Sequence, residues 1–354
     1  MIRIDGSQGE GGGQVLRTCL SLSALTGRPF HLRHIRANRR KPGLRPQHLT
    51  AVRAAAAICQ AHVSGDHLNA STLEFHPQVP PTAGAYTFDV TQAAQGGSAG
   101  AVTLIFQAVL WPLLFAAAPT QLTLRGGTHV PFSPPFHYLT EVFGPAVARL
   151  GAAFSANLTA WGWYPMGGGE MIAIIQPIHQ LTTADLSRTA VAHARVRGLA
   201  AVTNLPADIP QRMARRADNL LRQAKLLGQV TAVRERGLGP GAGIFLWLPQ
   251  AGFSSLGRKG LPADKVAETA VAECRAFMDN GADVDKRLAD QLLLPLALAH
   301  GRSHFTTDQI TQHTLTNVAL LRDWLNVSIT IVGELNQPGA ITIEGIGYMS
   351  SRNP

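Results

Sequence analysis

The chain opens with Ile2-Arg3-Ile4-Asp5, then Gly6-Ser7-Gln8-Gly9-Glu10-Gly11-Gly12-Gly13, then Gln14-Val15-Leu16-Arg17-Thr18-Cys19-Leu20. The first four residues alternate apolar and polar, the period of a half-buried strand. Five glycines in the next eight residues favour a turn over any regular element. From Gln14 apolar residues recur at helical spacing, which predicts a helix over 14–25. A strand near 30–36, a helix over 47–61 and a strand at 73–76 complete this first unit.

The pattern of strand, turn, helix, strand, helix and paired short strands recurs downstream. A second copy has a strand at 86–90, the turn QGGSAG (95–100), an apolar helix through Gln107, a strand at 121–124, a helix over 135–150 and a strand at 171–175. A third begins late, with a helix over 288–299, a strand about Phe305, a helix over 312–325 and strands at 328–332 and 340–343. Helices that alternate with β-rich runs predict an α/β (α+β) fold, and self-similarity at this length predicts like units packed together. Residues 185–278 break the pattern, with helices over 208–227 and 263–278, strands at 230–234 and 244–248, and the turn GLGPGAG (237–243). They read as a small inserted α/β domain, which leaves 1–184 and 279–354 as one large domain.

Composition sets the class. The chain has 354 residues, 45% hydrophobic and only 15% charged, so it carries ample apolar surface for a core and is not a disordered chain. Cys19, Cys59 and Cys274 are scattered and odd in number, which speaks against a disulfide framework or a structural zinc site. No apolar run follows a basic start at the N-terminus, so a signal peptide is not expected and the cytoplasm is the expected location. The run SAGAVTLIFQAVLWPLLFAAAP (98–119) approaches bilayer length, but Gln107 and Pro112 interrupt it. It reads as a buried core helix, and no membrane association is expected.

Charge is unevenly placed. Lys and Arg total 31 against 22 acids, and no carboxylate stands between Arg17 and Gly65, where Arg28, Arg33, Arg36, Arg39, Arg40, Lys41, Arg45 and Arg53 cluster. Such a block suits a polyanion, nucleic acid included, or simply a solvated basic surface.

Candidate chemistry starts with phosphate. There is no GxxxxGK[ST] motif, so this is not a P-loop protein. The glycine turn at 9–13 can present backbone N–H groups and a helix start to an anion. Glu10 in its middle suits such a pocket only if a divalent cation bridges it to phosphate; the alternative is a tight turn. Gly167-Gly168-Gly169 after Tyr164-Pro165 implies a need for bare backbone, with no purpose readable from local physics. His313 begins an amphipathic helix, where a helix N-terminus keeps an imidazole neutral and draws phosphate. His300 and His304 do not make an HExxH zinc helix. Asp290 and Gln291 either face the same site or solvate their helix.

Six segments occur in order: DGSQGEGGGQVLR (5–17), IRANRRKPGLRPQHL (35–49), GSAG (97–100), YPMGGGE (164–170), LADQLLLPLALA (288–299) and HTLTN (313–317). Together they resemble the RNA 3'-terminal phosphate cyclases along the whole chain, and YPxGGG is the signature of that family. The resemblance implies three βαβαββ repeats and an inserted α/β domain. It also implies ATP and a divalent metal, Mg²⁺ or Mn²⁺, as cofactors and an RNA with a 3'-phosphate as partner. The reaction it implies passes AMP from ATP to a histidine, then to the RNA 3'-phosphate, before the 2'-hydroxyl closes a 2',3'-cyclic phosphate.

By position, the family nucleophile falls on His313 and the acidic residue beside metal and triphosphate on Glu10. Arg17, Arg36, Arg39 and Gln47 match polar residues needed for activity. Gln107, Pro131 and Arg287, Leu288, Ala289, Asp290 and Gln291 match nucleotide-binding positions. Three departures stand out. Arg287 replaces an aromatic residue before LADQ, where a guanidinium plane can substitute for a ring. His129-Val130 follows GGT, and Arg45-Pro46 rearranges the basic loop.

Three other functions share parts of this pattern. A non-catalytic relative that binds RNA in ribosome assembly would have the same fold, but would lack the histidine and much of the arginine set. An enolpyruvyl-type transferase shares the repeat architecture without HTLTN. A plain RNA-binding module needs neither Glu10 nor His313. An acid-labile protein adduct formed from α-labelled ATP separates the enzyme from all three.

Overall fold

The computed structural model describes residues 1–93, 98–187 and 195–349; Gly97 of the GSAG turn therefore lies outside the described residues. The first unit runs β1 (Ile2–Asp5), α1 (Gly13–Thr26), β2 (Phe30–Arg33), α2 (Pro46–Cys59), β3 (His62–Ser64) and β4 (Leu73–His76). The second runs β5 (Ala85–Asp89), α3 (Val102–Leu114), β6 (Thr120–Gly126), α4 (Phe136–Tyr138), α5 (Gly144–Ala148), β7 (Phe154–Ala160) and β8 (Gly169–Ile175). After it come β9 (Val196–Thr203), α6 (Asp208–Gln223), β10 (Gly228–Glu235), β11 (Gly241–Leu248), β12 (Ala251–Leu256) and α7 (Ala263–Asn280). The chain closes with α8 (Lys286–Leu298), β13 (His300–Thr307), α9 (Gln312–Trp324), β14 (Ser328–Val332) and β15 (Gly339–Ile346).

The repeats are visible in the sheet orders. The first sheet is β1-β2-β4-β3 and the second β5-β6-β8-β7. In each, the first two strands are parallel and the others antiparallel. The third sheet, β13-β15-β14, follows the same order but lacks a leading strand. In its place Thr182 makes a single parallel bridge to His300 of β13. The expected third strand–helix start is thus cut in two, and β9 to α7 lie between its halves.

That intervening segment forms a sheet of its own, β10-β9-β11-β12, covered on one face by α6 and α7. It has four strands where two are readable from the sequence. β9 (VRGLAAVT) carries one glycine and two alanines, and is a strand because Val196, Ala200 and Val202 are buried under α6 and α7. The core of this unit is separate from the large one that the three repeats share.

Two predicted elements end early. The strand from Phe30 stops at Arg33, since His34 and Arg36 take left-handed backbone (φ 52° and 55°). The helix predicted over 208–227 ends at Gln223, with Lys225 left-handed at φ 58°. The helix predicted over 135–150 is interrupted by one π turn at Leu139–Phe143 between α4 and α5. The apolar run at 98–119 yields α3, buried at twelve of its thirteen residues. Among the described residues no helix is long and apolar enough to cross a membrane.

Candidate active site

The glycine turn between β1 and α1 is held from three sides. Asp5 accepts from the Ser7 N–H and hydroxyl at 2.9 and 2.7 Å, which with His34 nearby brings its carboxyl down to about 2. Asn38 of the basic loop donates to the Ser7 carbonyl at 2.8 Å, and the Glu10 N–H reaches Thr316 Oγ1 on α9 at 3.4 Å. Gly9 and Gly11 are left-handed (φ 61° and 60°), so Glu10 is presented between two residues that only glycine serves well. Its carboxylate contacts the Arg39 guanidinium on one side. On the other, Oε2 lies 2.7 Å from Nδ1 of His313, off the line of an ideal hydrogen bond.

His313 stands in the first turn of α9, whose N-cap Thr311 accepts from the Thr314 N–H at 3.1 Å. Burial pushes its pKa down; Asp290 opposes this, while Arg17 and Arg39 add to it. Burial thus favours the neutral ring. With Nδ1 turned to Glu10, Nε2 is the free nitrogen and has no partner among the described residues.

Beneath this surface the helices of all three repeats meet. Arg17 on α1 donates to Gln14 Oε1 at 2.6 Å, and its Nε is buried without a partner. Burial lowers its pKa to about 10 against the pull of Asp290. Asp290 on α8 is pushed up to about 7 by burial, opposed by His313 and Arg17. Thr18 donates to Asn317 Oδ1 at 3.2 Å, joining α1 to α9, and Gln107 on α3 donates to Gln291 Oε1 on α8 at 2.5 Å. Gln14, Arg17, Gln107, Asp290, Gln291 and Asn317 line a cavity of about 30 Å³, room for one or two waters.

The structure thus brings Glu10, Arg17, Arg39 and His313 together, with Gln107, Asp290 and Gln291 in the layer below. Gln47, in the first turn of α2, accepts from the Ala101 N–H at 2.9 Å and ties the basic loop to the start of α3. Arg36 closes its own loop, donating to the carbonyls of Lys41 and Gly43 at 2.7 and 3.0 Å. Leu288 and Ala289 are wholly buried in the large core and are not among the residues that line this cavity. Arg287 pairs with Glu273 of α7 at 3.0 Å, which ties down the side chain expected to replace a stacking ring. Pro131 is exposed on a loop anchored by Val130, which packs with Ala101 and Leu104 of the segment leading to Gln107. His129 is buried, with its nitrogens 2.8 Å from Thr128 Oγ1 and 3.0 Å from His137 and its ring against Trp161.

Bare backbone at the glycine triplet has a reason. Gly167 and Gly168 are left-handed (φ 70° and 72°). A Cβ on Gly167 would lie 2.6 Å from the Ser98 carbonyl oxygen, and one on Gly168 2.6 Å from Leu238. The loop is wedged between the turn before α3 and the segment between β10 and β11.

Sequence reasoning missed two buried groups. Asp285 caps α8, accepting from the Arg287 and Leu288 N–H groups at 2.7 and 3.0 Å, and also accepts from the Tyr138 hydroxyl and the Gly252 N–H, both at 2.9 Å. His48, beside Gln47, lies under the glycine turn. An aspartate just before a helix was a readable cap signal; a histidine in the first turn of a helix carries none.

A metal fits this donor set modestly. Among the described residues no group of three acids, histidines or cysteines gathers to hold an ion. A cation bound chiefly by phosphates and water needs only one or two carboxylates, and the buried Glu10 Oε2, which lacks a full hydrogen bond, can be one.

Comparison with known proteins gives a consistent picture. Residues 8–331 match the family model described as RNA 3'-terminal phosphate cyclase. The chain is 52% identical over 322 residues to the RNA 3'-terminal phosphate cyclase of Gloeothece citriformis, covering 90% of this chain and 92% of that protein. It is 50% identical to that of Trichormus variabilis (94% and 96% covered) and 47% identical to that of Methylococcus capsulatus (90% and 89%). Among solved structures, an enolpyruvyl transferase from Streptomyces tendae overlays with a TM-score of 0.39 at 13% identity, covering 98% of this chain and 49% of that one, too loose a likeness to weigh. With a match of this length and identity, the chain belongs to the RNA 3'-terminal phosphate cyclase family.

Proposed function

We propose that this protein converts an RNA 3'-terminal phosphate into a 2',3'-cyclic phosphate at the expense of ATP, with AMP carried on Nε2 of His313. The observation that carries the reading is the 2.7 Å approach of Glu10 to Nδ1. It favours a proton on Nδ1 and so a lone pair on Nε2, the requirement for a nitrogen nucleophile.

In the first step Nε2 attacks the α-phosphorus of ATP, the N–P bond forms and pyrophosphate leaves. In the second an oxygen of the RNA 3'-phosphate attacks the same phosphorus, and the N–P electrons return to Nε2. In the third O2' attacks the 3'-phosphorus, its proton passes to solvent, and AMP leaves. Arg17 and Arg39 neutralise charge gathered between the anionic partners. Glu10 would hold the divalent cation, which when bound draws charge from the triphosphate. Ring closure needs little beyond proximity, since O2' is tethered beside the activated phosphorus. Gln107, Pro131, Arg287, Asp290 and Gln291 are the proposed nucleotide side of the site. The presence of His313 with the arginine set disfavours a non-catalytic RNA-binding role.

The test is incubation with α-labelled ATP. The wild type should acquire an acid-labile adduct, and a well-folded His313→Ala variant should acquire none. Continued labelling of that variant would remove His313 from the mechanism.

A further inference from the structure

The chain has four tyrosines. The hydroxyls of Tyr86, Tyr138 and Tyr348 each have a partner, respectively the Thr82 carbonyl, Asp285 and the Leu25 carbonyl. Tyr164 has none among the described residues and is 67% exposed at the tip of the β7–β8 hairpin. Trp161 and Trp163 on the same tip stack on each other, whereas Tyr164 joins no ring pair among the described residues.

The tip itself is firmly seated. The Gly167 N–H donates to the Trp163 carbonyl at 2.7 Å, and Trp163 is buried with its ring packed on Gly241. Met166 meets the turn between β10 and β11, its Cγ 2.8 Å from where a Cβ on Gly239 would stand. Leu238 of that turn packs on Gly168 in the same way. Met166 and Leu238 are nonetheless 51% and 65% exposed, so two anchored turns hold three large side chains in water.

This patch connects to the candidate active site through the turn before α3. Gly167 packs against Ser98 and Ala99, and Ala101 donates to Gln47 at the foot of the basic loop. Arg40 and Lys41 on that loop are exposed, as is Arg236 two positions before Leu238. None of the three cations takes part in an ion pair among the described residues. Glu170, at the base of the tip, is occupied by Arg125 at 2.7 Å. Unneutralised cations on either side of an apolar tip suit a single nucleic-acid strand, with phosphates for the cations and base faces for the ring. Three side chains are too little apolar surface for a stable interface between copies of the chain.

We propose that Tyr164, flanked by Met166 and Leu238, is a stacking platform for a base of the RNA strand upstream of the terminal nucleotide. This rests on the function proposed above and extends the site beyond the 3' end. The role is in holding the strand and not in the chemistry at His313.

Binding is measured with a ten-nucleotide RNA ending in a 3'-phosphate and with a nucleoside 3'-phosphate, which has no upstream base, alongside His313 labelling. Tyr164→Ala should weaken binding of the strand about tenfold or more, the cost of one lost base–aromatic stack. Tyr164→Phe keeps the ring and should stay within about twofold of the wild type. Neither variant should change binding of the nucleoside 3'-phosphate or the labelling. Replacing the bases one at a time by abasic sugars then locates the partner: one upstream position should cost the wild type about tenfold and cost Tyr164→Ala nothing further.

Unchanged binding of the strand by Tyr164→Ala overturns the proposal, as do abasic positions that cost the variant as much as the wild type. Equal loss of the nucleoside 3'-phosphate or of labelling also overturns it, since the tip would then be shaping the site itself. So does sedimentation showing self-association that Tyr164→Ala abolishes with RNA binding intact, which makes the patch an interface between copies. A wild type that binds the strand through Tyr164 but takes up no AMP would instead overturn the parent reading and leave the platform standing.

Discussion

Replacing Asp290 by Asn removes one titrating group from the layer where the three repeats meet. The folded protein holds the proton of this carboxyl more tightly than the unfolded chain, with a native value of about 7 against an ordinary 3.8. Its contribution to stability is therefore full below pH 3.8 and is lost as the pH rises through about 7. Integrating between these values gives roughly 2.7 kcal/mol more stability from this residue at pH 5 than at pH 8. Asp290 is partly exposed, and water at its rim reduces the figure toward about 1.5 kcal/mol. The assay is urea unfolding followed by tryptophan fluorescence, for the wild type and Asp290→Asn at pH 5, 6, 7 and 8. Histidines whose values are lowered, such as His129 and His137, add stability as pH rises, but they do so in both proteins and drop out of the difference. The wild type should lose stability relative to the variant by about 1.5–2.7 kcal/mol from pH 5 to pH 8. Parallel pH curves for the two proteins would refute the raised value and the assignment of a desolvated carboxyl to this layer.

The remaining predictions concern the chemistry. Glu10→Ala should slow His313 labelling, with partial recovery at raised Mg²⁺, whereas Arg17→Ala and Arg39→Ala should not recover because they supply charge directly; equal rescue in all three would show that the division of roles is wrong. A 3'-phosphate strand whose last sugar lacks the 2'-hydroxyl should be adenylated and then accumulate, since only O2' can close the ring. On a gel it should stall as a capped species while the ribose-ended strand is cyclised, and recovery of the deoxy strand unmodified would show that the 2'-hydroxyl is needed for recognition.

Much of this architecture was readable because its punctuation is local. The glycine turn before α1, the alternation in β1 and the apolar spacing of α8 and α9 each mark an element through near neighbours in sequence. β9 was not readable, because its small residues become a strand only under α6 and α7. The π turn in the helix after β6 likewise has no signature in Leu139–Phe143 itself. Within the candidate site, residue type and position made Glu10 and His313 candidates, and only the motifs GEGGG and HTLTN of the family resemblance singled them out. Nothing singles out His48: its neighbour Gly13 is 35 positions away (48 − 13) and touches it only after folding.

The cut in the third repeat bears on how the protein can be dissected. Thr182 stands where that repeat should begin, yet the chain reaches α8 only after passing through β9 to α7. The first turn of α8 is then anchored by Asp285, which holds both the Gly252 N–H of β12 and the Tyr138 hydroxyl of the second repeat. Splicing residue 187 to residue 283 would remove one of those anchors and leave a buried carboxylate short of a donor, at the head of the helix that carries Asp290 and Gln291. The intervening unit is therefore no detachable appendage: a shortened protein of this design needs a new clamp for Asp285 before it can keep the proposed nucleotide side in register.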